Sequence, residues 1–274
     1  MDQRVIETVR ERKPLIHCIT NYVTVVDVAN MLLSCGGAPI MADDIREAEE
    51  ITSICGGLNI NIGTLNERTV QSMFAAGKKA NELNHFTILD PVGAGASSLR
   101  TRTTFRLLDE VKFSVIRGNI SEIKTIANGR GTTQGVDADI KDAITEDNLF
   151  AAVDFVKKLS KKTDSIIAVT GAIDLVSDQD TTYVIRNGHP MMSHITGSGC
   201  MLTAVIAAYG TANPNCLLEA TAAAVCAVGL SGEIAREKIR EIHGGNGSFK
   251  AFFMDVMSQM NDEKLKEGAL FEIR

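Results

Sequence analysis

His194-Ile195-Thr196-Gly197-Ser198-Gly199-Cys200 runs directly into Met201-Leu202-Thr203-Ala204-Val205-Ile206-Ala207-Ala208-Tyr209. A few small residues thus open a segment that is apolar on every side. A helix without a polar face belongs in a core rather than at a surface. Its first turn still carries backbone N–H groups with no intrahelical partner, at the positive end of the helix dipole. Gly197 and Gly199 withhold side chains that would keep an anion from those donors. The stretch reads either as an anion hole with a thiol, Cys200, at its rim, or as a tight turn into a core helix. The surrounding chain decides between the two.

Outward from this helix the chain alternates. Apolar runs at 14–21, 38–41, 58–62, 86–89, 113–116 and 165–169 read as strands, and 173–177 with 181–187 as a hairpin around Asp178-Gln179-Asp180. Helical spacing fills the intervals at 23–33, 66–83, 101–110, 121–128 and 147–160, and returns at 215–240 and 248–260 before a charged tail. Asp43-Asp44 is expected to cap a further helix ending at Ile54. Strands alternating with helices imply βαβ units, hence an α/β fold with a mainly parallel central sheet flanked by helices. With no repeat and no Pro/Ser linker, residues 1–274 read as a single domain and the loop at 129–146 as a flap.

Composition narrows the function classes. The 274 residues are 45% hydrophobic but only 5% aromatic, with no Trp, so the core is aliphatic. A net charge of −6 argues against a nucleic-acid or anionic-membrane surface, although not against one anion held locally. Six widely spaced cysteines form no C-x-x-C pair and no zinc spacing. They fit a reducing compartment. No charged-then-apolar leader opens the chain, and a cytoplasmic protein is expected.

Ligands of open α/β sheets bind at the carboxyl ends of the strands. The residues there are Asn21, Met41, Asn61–Gly63, Asp90, Arg117-Gly118-Asn119, Thr170 and the Gly197–Cys200 turn. Glu122 follows Asn119 by three residues, on the first turn of its helix. Two carboxylates, a guanidinium and an N-terminal nest suit a phosphate with Mg²⁺. There is no G-x-x-x-x-G-K-[ST] and no Gly-rich fingerprint after the first strand, which excludes a P-loop and disfavours a dinucleotide fold. Each residue also has a plainer reading. Asp90 before Pro91 suits a turn, Glu122 a helix start, Arg117 a solvated strand end, Met41 a core, and Asn21 and Thr170 caps.

The motifs Thr20-Asn21-Tyr22-Val23-Thr24, Ala38-Pro39-Ile40-Met41-Ala42, Asn59-Ile60-Asn61-Ile62-Gly63-Thr64, Asp90-Pro91-Val92-Gly93-Ala94, Arg117-Gly118-Asn119-Ile120-Ser121-Glu122, Val169-Thr170-Gly171 and Thr196-Gly197-Ser198-Gly199-Cys200 stand in this order. Together they resemble the ribokinase-like superfamily, and within it the hydroxyethylthiazole kinases of thiamine salvage. Cys200 is the most discriminating position, because other ribokinase-like kinases have Asp there.

The resemblance implies a ribokinase-like three-layer sandwich and ATP- and Mg²⁺-dependent phosphorylation of the alcohol of 5-(2-hydroxyethyl)-4-methylthiazole. It implies Asn21, Met41 and Gly197 at the thiazole alcohol, Arg117 and Thr170 at ATP, and Asp90 and Glu122 at Mg²⁺. Gly197, Gly199 and Cys200 are implied at the transferring phosphoryl, with Cys200 where relatives place their base. A homotrimer with active sites at subunit interfaces is implied too. A thiol at a helix N-terminus is expected to have a lowered pKa. Two alternatives are another ribokinase-like enzyme (a vitamin-precursor kinase or a nucleotide-dependent hydrate dehydratase) and a catalytically silent thiazole-binding protein.

Overall fold

The computed structural model describes residues 4–129 and 143–274. Most of the expected flap at 129–146 therefore lies outside the described residues. The strands are β1 (Leu15–Ile19), β2 (Ala38–Ile40), β3 (Gly57–Asn61), β4 (Phe86–Asp90), β5 (Val115–Asn119), β6 (Ile166–Thr170), β7 (Asp174–Ser177), β8 (Thr182–Ile185) and β9 (Phe271–Ile273). They form one sheet in the order β2-β1-β3-β4-β5-β6-β7-β8-β9. Pairing is parallel from β2 through β6 and antiparallel from β6 to β9. The mainly parallel sheet and the 173–187 hairpin are as the sequence implied.

Helices cover both faces: α1 (Val5–Arg12), α2 (Val25–Cys35), α3 (Ala48–Ile54), α4 (Glu67–Glu82), α5 (Ser98–Glu110), α6 (Ile120–Asn128), α7 (Leu149–Thr163), α8 (Ser198–Ala212), α9 (Leu217–Glu241), α10 (Asn246–Ser258) and α11 (Asp262–Gly268). The alternation of side chains along each strand divides the interior into two cores. Val115 packs with residues of α1, α2, α8, α9 and α10, whereas Ile116 packs with residues of α4 to α7. Helix α8 is buried on every side from Met201 to Gly210, which explains its lack of a polar face. Among the described residues one segment, Pro214–Glu241, is long and apolar enough to cross a membrane, but 78% of its most apolar window is buried in the protein. It is a core helix.

One expectation needs correction. Asp43-Asp44 does not cap α3, which starts at Ala48 with Glu47 before it. The Asp44 carboxylate instead accepts from Arg46 N and Nε at 3.0 and 2.9 Å and from Arg68 Nη2 at 2.9 Å. The charged tail carries α11 and β9. Asp262, at the start of α11, accepts from Ile6 N at 2.9 Å and Glu7 N at 3.0 Å, satisfying the open donors of α1.

The strand order reverses between β1 and β3, since β1 is flanked by β2 on one side and β3 on the other. A crevice opens at such a reversal, outside the carboxyl ends of the strands. Asn21 follows β1 and Asn61 ends β3, so the fold delivers both amides to that crevice.

Candidate active site

Asp90 ends β4 opposite Asn61 in the parallel register. It is fully buried. Its Oδ2 accepts from Asn61 Nδ2 at 2.8 Å and from Thr203 Oγ1 at 2.9 Å, while Arg117 Nη1 stands 3.7 Å away. Its Oδ1 is buried with no hydrogen-bond partner. Burial pushes the carboxyl up to about 6, Arg117 pulls it down, and the charge of Glu122 adds to the rise. An unpartnered carboxylate oxygen in a buried site is costly unless something arrives to meet it.

Arg117 projects from within β5 rather than from a loop after it. Its Nη2 donates to Thr170 Oγ1 at 2.6 Å, and Thr170 ends the neighbouring strand β6. The guanidinium lies close against the first turn of α8. A Cβ on Gly199 would meet Arg117 Nη1 at 2.6 Å, so only glycine lets the cation approach that turn. Gly197, the N-cap, has φ +88° and would press a Cβ into Thr24 Cγ2 at 2.6 Å. No side chain caps α8, and its first intrahelical bond runs from Met201 N to Gly197 O. The N–H groups of Ser198, Gly199 and Cys200 therefore precede the helical ladder and are available to an anion.

Glu122 is the third residue of α6 and completes a capping box with Asn119. Glu122 N donates to Asn119 Oδ1 at 2.9 Å, and Asn119 N donates to Glu122 Oε2 at 2.8 Å. Its Oε1 accepts from Gly93 N at 2.8 Å in the loop after β4. The plainer reading of Glu122 as a helix-start acid is thus also true, and its charge still reaches Asp90.

Cys200 is half-buried, and its Sγ accepts from Asn21 Nδ2 and Asn61 Nδ2, each at 3.3 Å. The expected lowering of its pKa is corrected. Burial raises the thiol above its ordinary value and the Asp90 charge adds to this, outweighing the contacts of Thr24, Asn61 and Arg117. The helix dipole is worth well under a buried thiolate's lost hydration. Asn21 Oδ1 accepts from Thr24 N at 3.1 Å, so Asn21 is a turn residue as well as a partner of Cys200. Met41 is half-buried and packs on the same core as Cys200.

A cavity of about 500 Å³ opens beside Arg117, Thr170 and Gly199, with Leu202, Val225 and Val228 in its wall. Asp174 also lines it. Burial pushes the Asp174 carboxyl up to about 7, opposed by the Gly171 N–H and Arg117. A cation, helix-end donors and aliphatic walls together suit a phosphorylated ligand with a flat apolar part.

A model described as the hydroxyethylthiazole kinase family matches residues 6–263. The chain belongs to that family. It is 57% identical over 267 residues to the hydroxyethylthiazole kinase of Clostridium acetobutylicum, covering 97% of both chains. Its fold matches that of the hydroxyethylthiazole kinase protein from Pyrococcus horikoshii OT3 with a TM-score of 0.86, 33% identity and 98% coverage of each chain. A ribokinase-like superfamily protein from Enterococcus faecalis V583 shares the fold at a TM-score of 0.61 and 11% identity, covering 94% of this chain and 89% of that one. The architecture is therefore ribokinase-like.

For this member of the hydroxyethylthiazole kinase family, the strand-end residues read from sequence form two sets bridged by the Arg117–Asp90 pair. Asn21 and Cys200 join Asp90 through Asn61, while Arg117 joins Thr170 and Gly199. Met41 and Glu122 lie at the margins, Glu122 tied to the loop after β4. Sequence reading gave no role to Asn61, Thr203 or Asp174. Asn61 carried a signal in its strand-end position. Thr203 carried one in its spacing, three residues and nearly one helical turn beyond Cys200.

Proposed function

We propose that this chain transfers the γ-phosphoryl group of ATP to the primary alcohol of 5-(2-hydroxyethyl)-4-methylthiazole, with Mg²⁺, in thiamine biosynthesis. The observation that carries the reading is the meeting of Asp90, Arg117, Thr170 and the uncapped α8 N-terminus at one set of strand ends in a chain of this family. Phosphoryl transfer needs positioned groups and charge neutralisation more than covalent chemistry.

The donor set fits a magnesium ion. Asp90 Oδ1 is buried and unpartnered, and the Glu122 carboxylate, each of whose oxygens already accepts one backbone N–H, is near enough for its charge to act on Asp90. Among the described residues no group of three or more Asp, Glu, His or Cys is placed to hold a metal ion. Mg²⁺ is commonly held by one or two carboxylates together with water and substrate phosphates, so two suffice. Bound there, the ion supplies charge neutralisation for the phosphates.

The chain's own residues do the rest. Arg117 and Thr170 hold ATP phosphates, and the Ser198, Gly199 and Cys200 N–H groups receive the equatorial oxygens of the transferring group. Asn21, Met41 and Gly197 line the alcohol pocket. The alcohol oxygen attacks phosphorus, its proton passes to the Cys200 thiolate to give the thiol, and the bond to ADP breaks with its electron pair leaving on the ADP oxygen. The raised thiol makes Cys200 a base whose active fraction grows with pH. Residues 1–274 act as one kinase domain. Six free cysteines support a reducing, cytoplasmic setting.

A homotrimer with shared sites belongs to the same proposal. Tyr22, Val23 and Val26 are 75%, 57% and 67% exposed, directly after Asn21 and along the start of α2. An apolar patch beside the alcohol pocket supports its burial by a neighbouring subunit. Sedimentation that returns a monomer with full activity would remove this part.

ADP release is the deciding assay. ATP and Mg²⁺ should yield ADP strongly only with the thiazole alcohol, which should appear as its phosphate ester. Equal turnover without the alcohol, or none with it, defeats the kinase reading. The latter outcome would leave a silent thiazole binder.

A further inference from the structure

We infer that Asn61 is a positioning residue for the transfer step, one amide that sets the Asp90 carboxylate and the Cys200 sulfur in register with each other. The inference rests on the roles proposed above for those two groups. Its geometry stands independently of them.

Asn61 is 1% exposed at the end of β3, paired in register with Asp90 on β4. Residues so paired leave a parallel sheet on the same face, which brings the two side chains together. Each hydrogen of Asn61 Nδ2 has an acceptor: Asp90 Oδ2 at 2.8 Å and Cys200 Sγ at 3.3 Å. Its Oδ1 accepts from Gly63 N at 2.9 Å and from Asn21 Nδ2 at 3.0 Å. This fixes the amide's orientation. Turned over, it would set its carbonyl against a carboxylate and its NH₂ against the Gly63 N–H.

Two consequences follow for the reacting groups. Asp90 Oδ2 is saturated by Asn61 and Thr203, so Oδ1 is the oxygen left for a ligand. The Cys200 sulfur is held as an acceptor by two N–H donors whose orientation is fixed, since Asn21 Oδ1 is itself taken by Thr24 N and Oγ1. A sulfur so placed has its remaining lone-pair face for the substrate hydroxyl. Asn61 touches neither the alcohol nor ATP in this scheme, and acts through its two partners.

The test is a double-mutant cycle between Asn61→Leu and Cys200→Ala, read in alcohol-dependent ADP release. Leucine keeps the branched shape and removes every donor and the acceptor. Asn61→Leu alone should lower kcat by at least about tenfold while KM for ATP stays within about twofold. In the Cys200→Ala background the same substitution should cost at least about fivefold less, because groups acting as a unit are not additive. A merely structural role predicts the full cost in both backgrounds, and that result overturns the inference. So does a loss lying wholly in KM for ATP. If Asn61→Leu does not fold, Asn61→Ser takes its place in the cycle.

A second readout separates this inference from the kinase reading. Iodoacetamide should label Cys200 several-fold more slowly in Asn61→Leu, measured against the half-exposed Cys216 of the same molecule. An unchanged ratio overturns the inference even if the enzyme is active. A wild type without alcohol-dependent turnover defeats the function, while the labelling ratio still judges Asn61.

Discussion

Replacing Gly199 by alanine should uncouple activity from stability. The new Cβ would stand 2.6 Å from Arg117 Nη1 against an ordinary minimum of 3.4 Å, so the guanidinium must retreat by about 0.8 Å. Arg117 can yield, because the cavity of about 500 Å³ lies beside it. Yielding stretches its 2.6 Å bond to Thr170 and lifts the cation off the α8 N-terminus. Misplacing a positioning group by about 1 Å costs on the order of 10²-fold in rate, or about 2.7 kcal/mol of transition-state stabilisation. Alanine meanwhile suits a helical position better than glycine by up to about 0.5–1 kcal/mol. The expected variant melts no lower than wild type, while kcat/KM for ATP falls about 10²-fold. Coupled-enzyme detection of ADP at saturating thiazole alcohol, beside a thermal melt, reads both quantities. A kcat/KM within about threefold of wild type would show that Arg117 does not need its place on this turn. A Tm lowered by more than a few degrees would show that the backbone, not the guanidinium, had moved.

Three other substitutions test neighbouring parts of the site. Asp90 is held at about 6 against an ordinary 3.8, so its ionised form opposes folding and stability is lost as pH rises between those values. Asp90→Asn should therefore raise Tm at neutral pH by the equivalent of about 1–3 kcal/mol, converge with wild type at acid pH, and abolish turnover; equal melts at all pH values refute the burial argument. Cys200→Ala should retain slow activity, losing no more than about 10²–10⁴-fold, and should lack the wild type's rate increase toward alkaline pH. A covalent adduct on Cys200, seen by intact mass forming and decaying at the catalytic rate, would replace the base mechanism with a nucleophilic one. Glu122→Gln should raise the Mg²⁺ concentration needed for half-maximal rate and cost about 1–2 kcal/mol of stability, because one amide oxygen cannot serve both the Gly93 and Asn119 N–H groups. An unchanged Mg²⁺ dependence would leave Glu122 as a capping residue alone.

The layered fold was legible because its cause is local. Runs such as Ile166–Val169 and helical spacings such as that of α4 state their periods within a few residues. Strand β9 was not legible, because Phe271-Glu272-Ile273 becomes a strand only by pairing with β8, some ninety residues earlier. Asp44 misled for a related reason: its carboxylate is claimed by Arg46 and Arg68, the second of them distant in sequence. Within the site, residues at strand ends announced their location but not their partners. The helix end suggested a low pKa for Cys200, and only three dimensions disclosed the burial and the Asp90 charge that reverse it. Asn61 stood in the right place in the chain, yet its importance lies in bonds to Asp90, Cys200 and Asn21, which no spacing encodes.

Helix α8 begins in the site and continues as one of the most buried elements of the protein. The turn proposed to receive the phosphoryl group is thus an extension of the core and shares its rigidity. Laboratory evolution toward new alcohols should accordingly leave residues 197–203 untouched. Its accepted changes should gather where the protein can absorb them, around the half-buried Met41. One end of the reaction is built into the scaffold, and the other is open to revision.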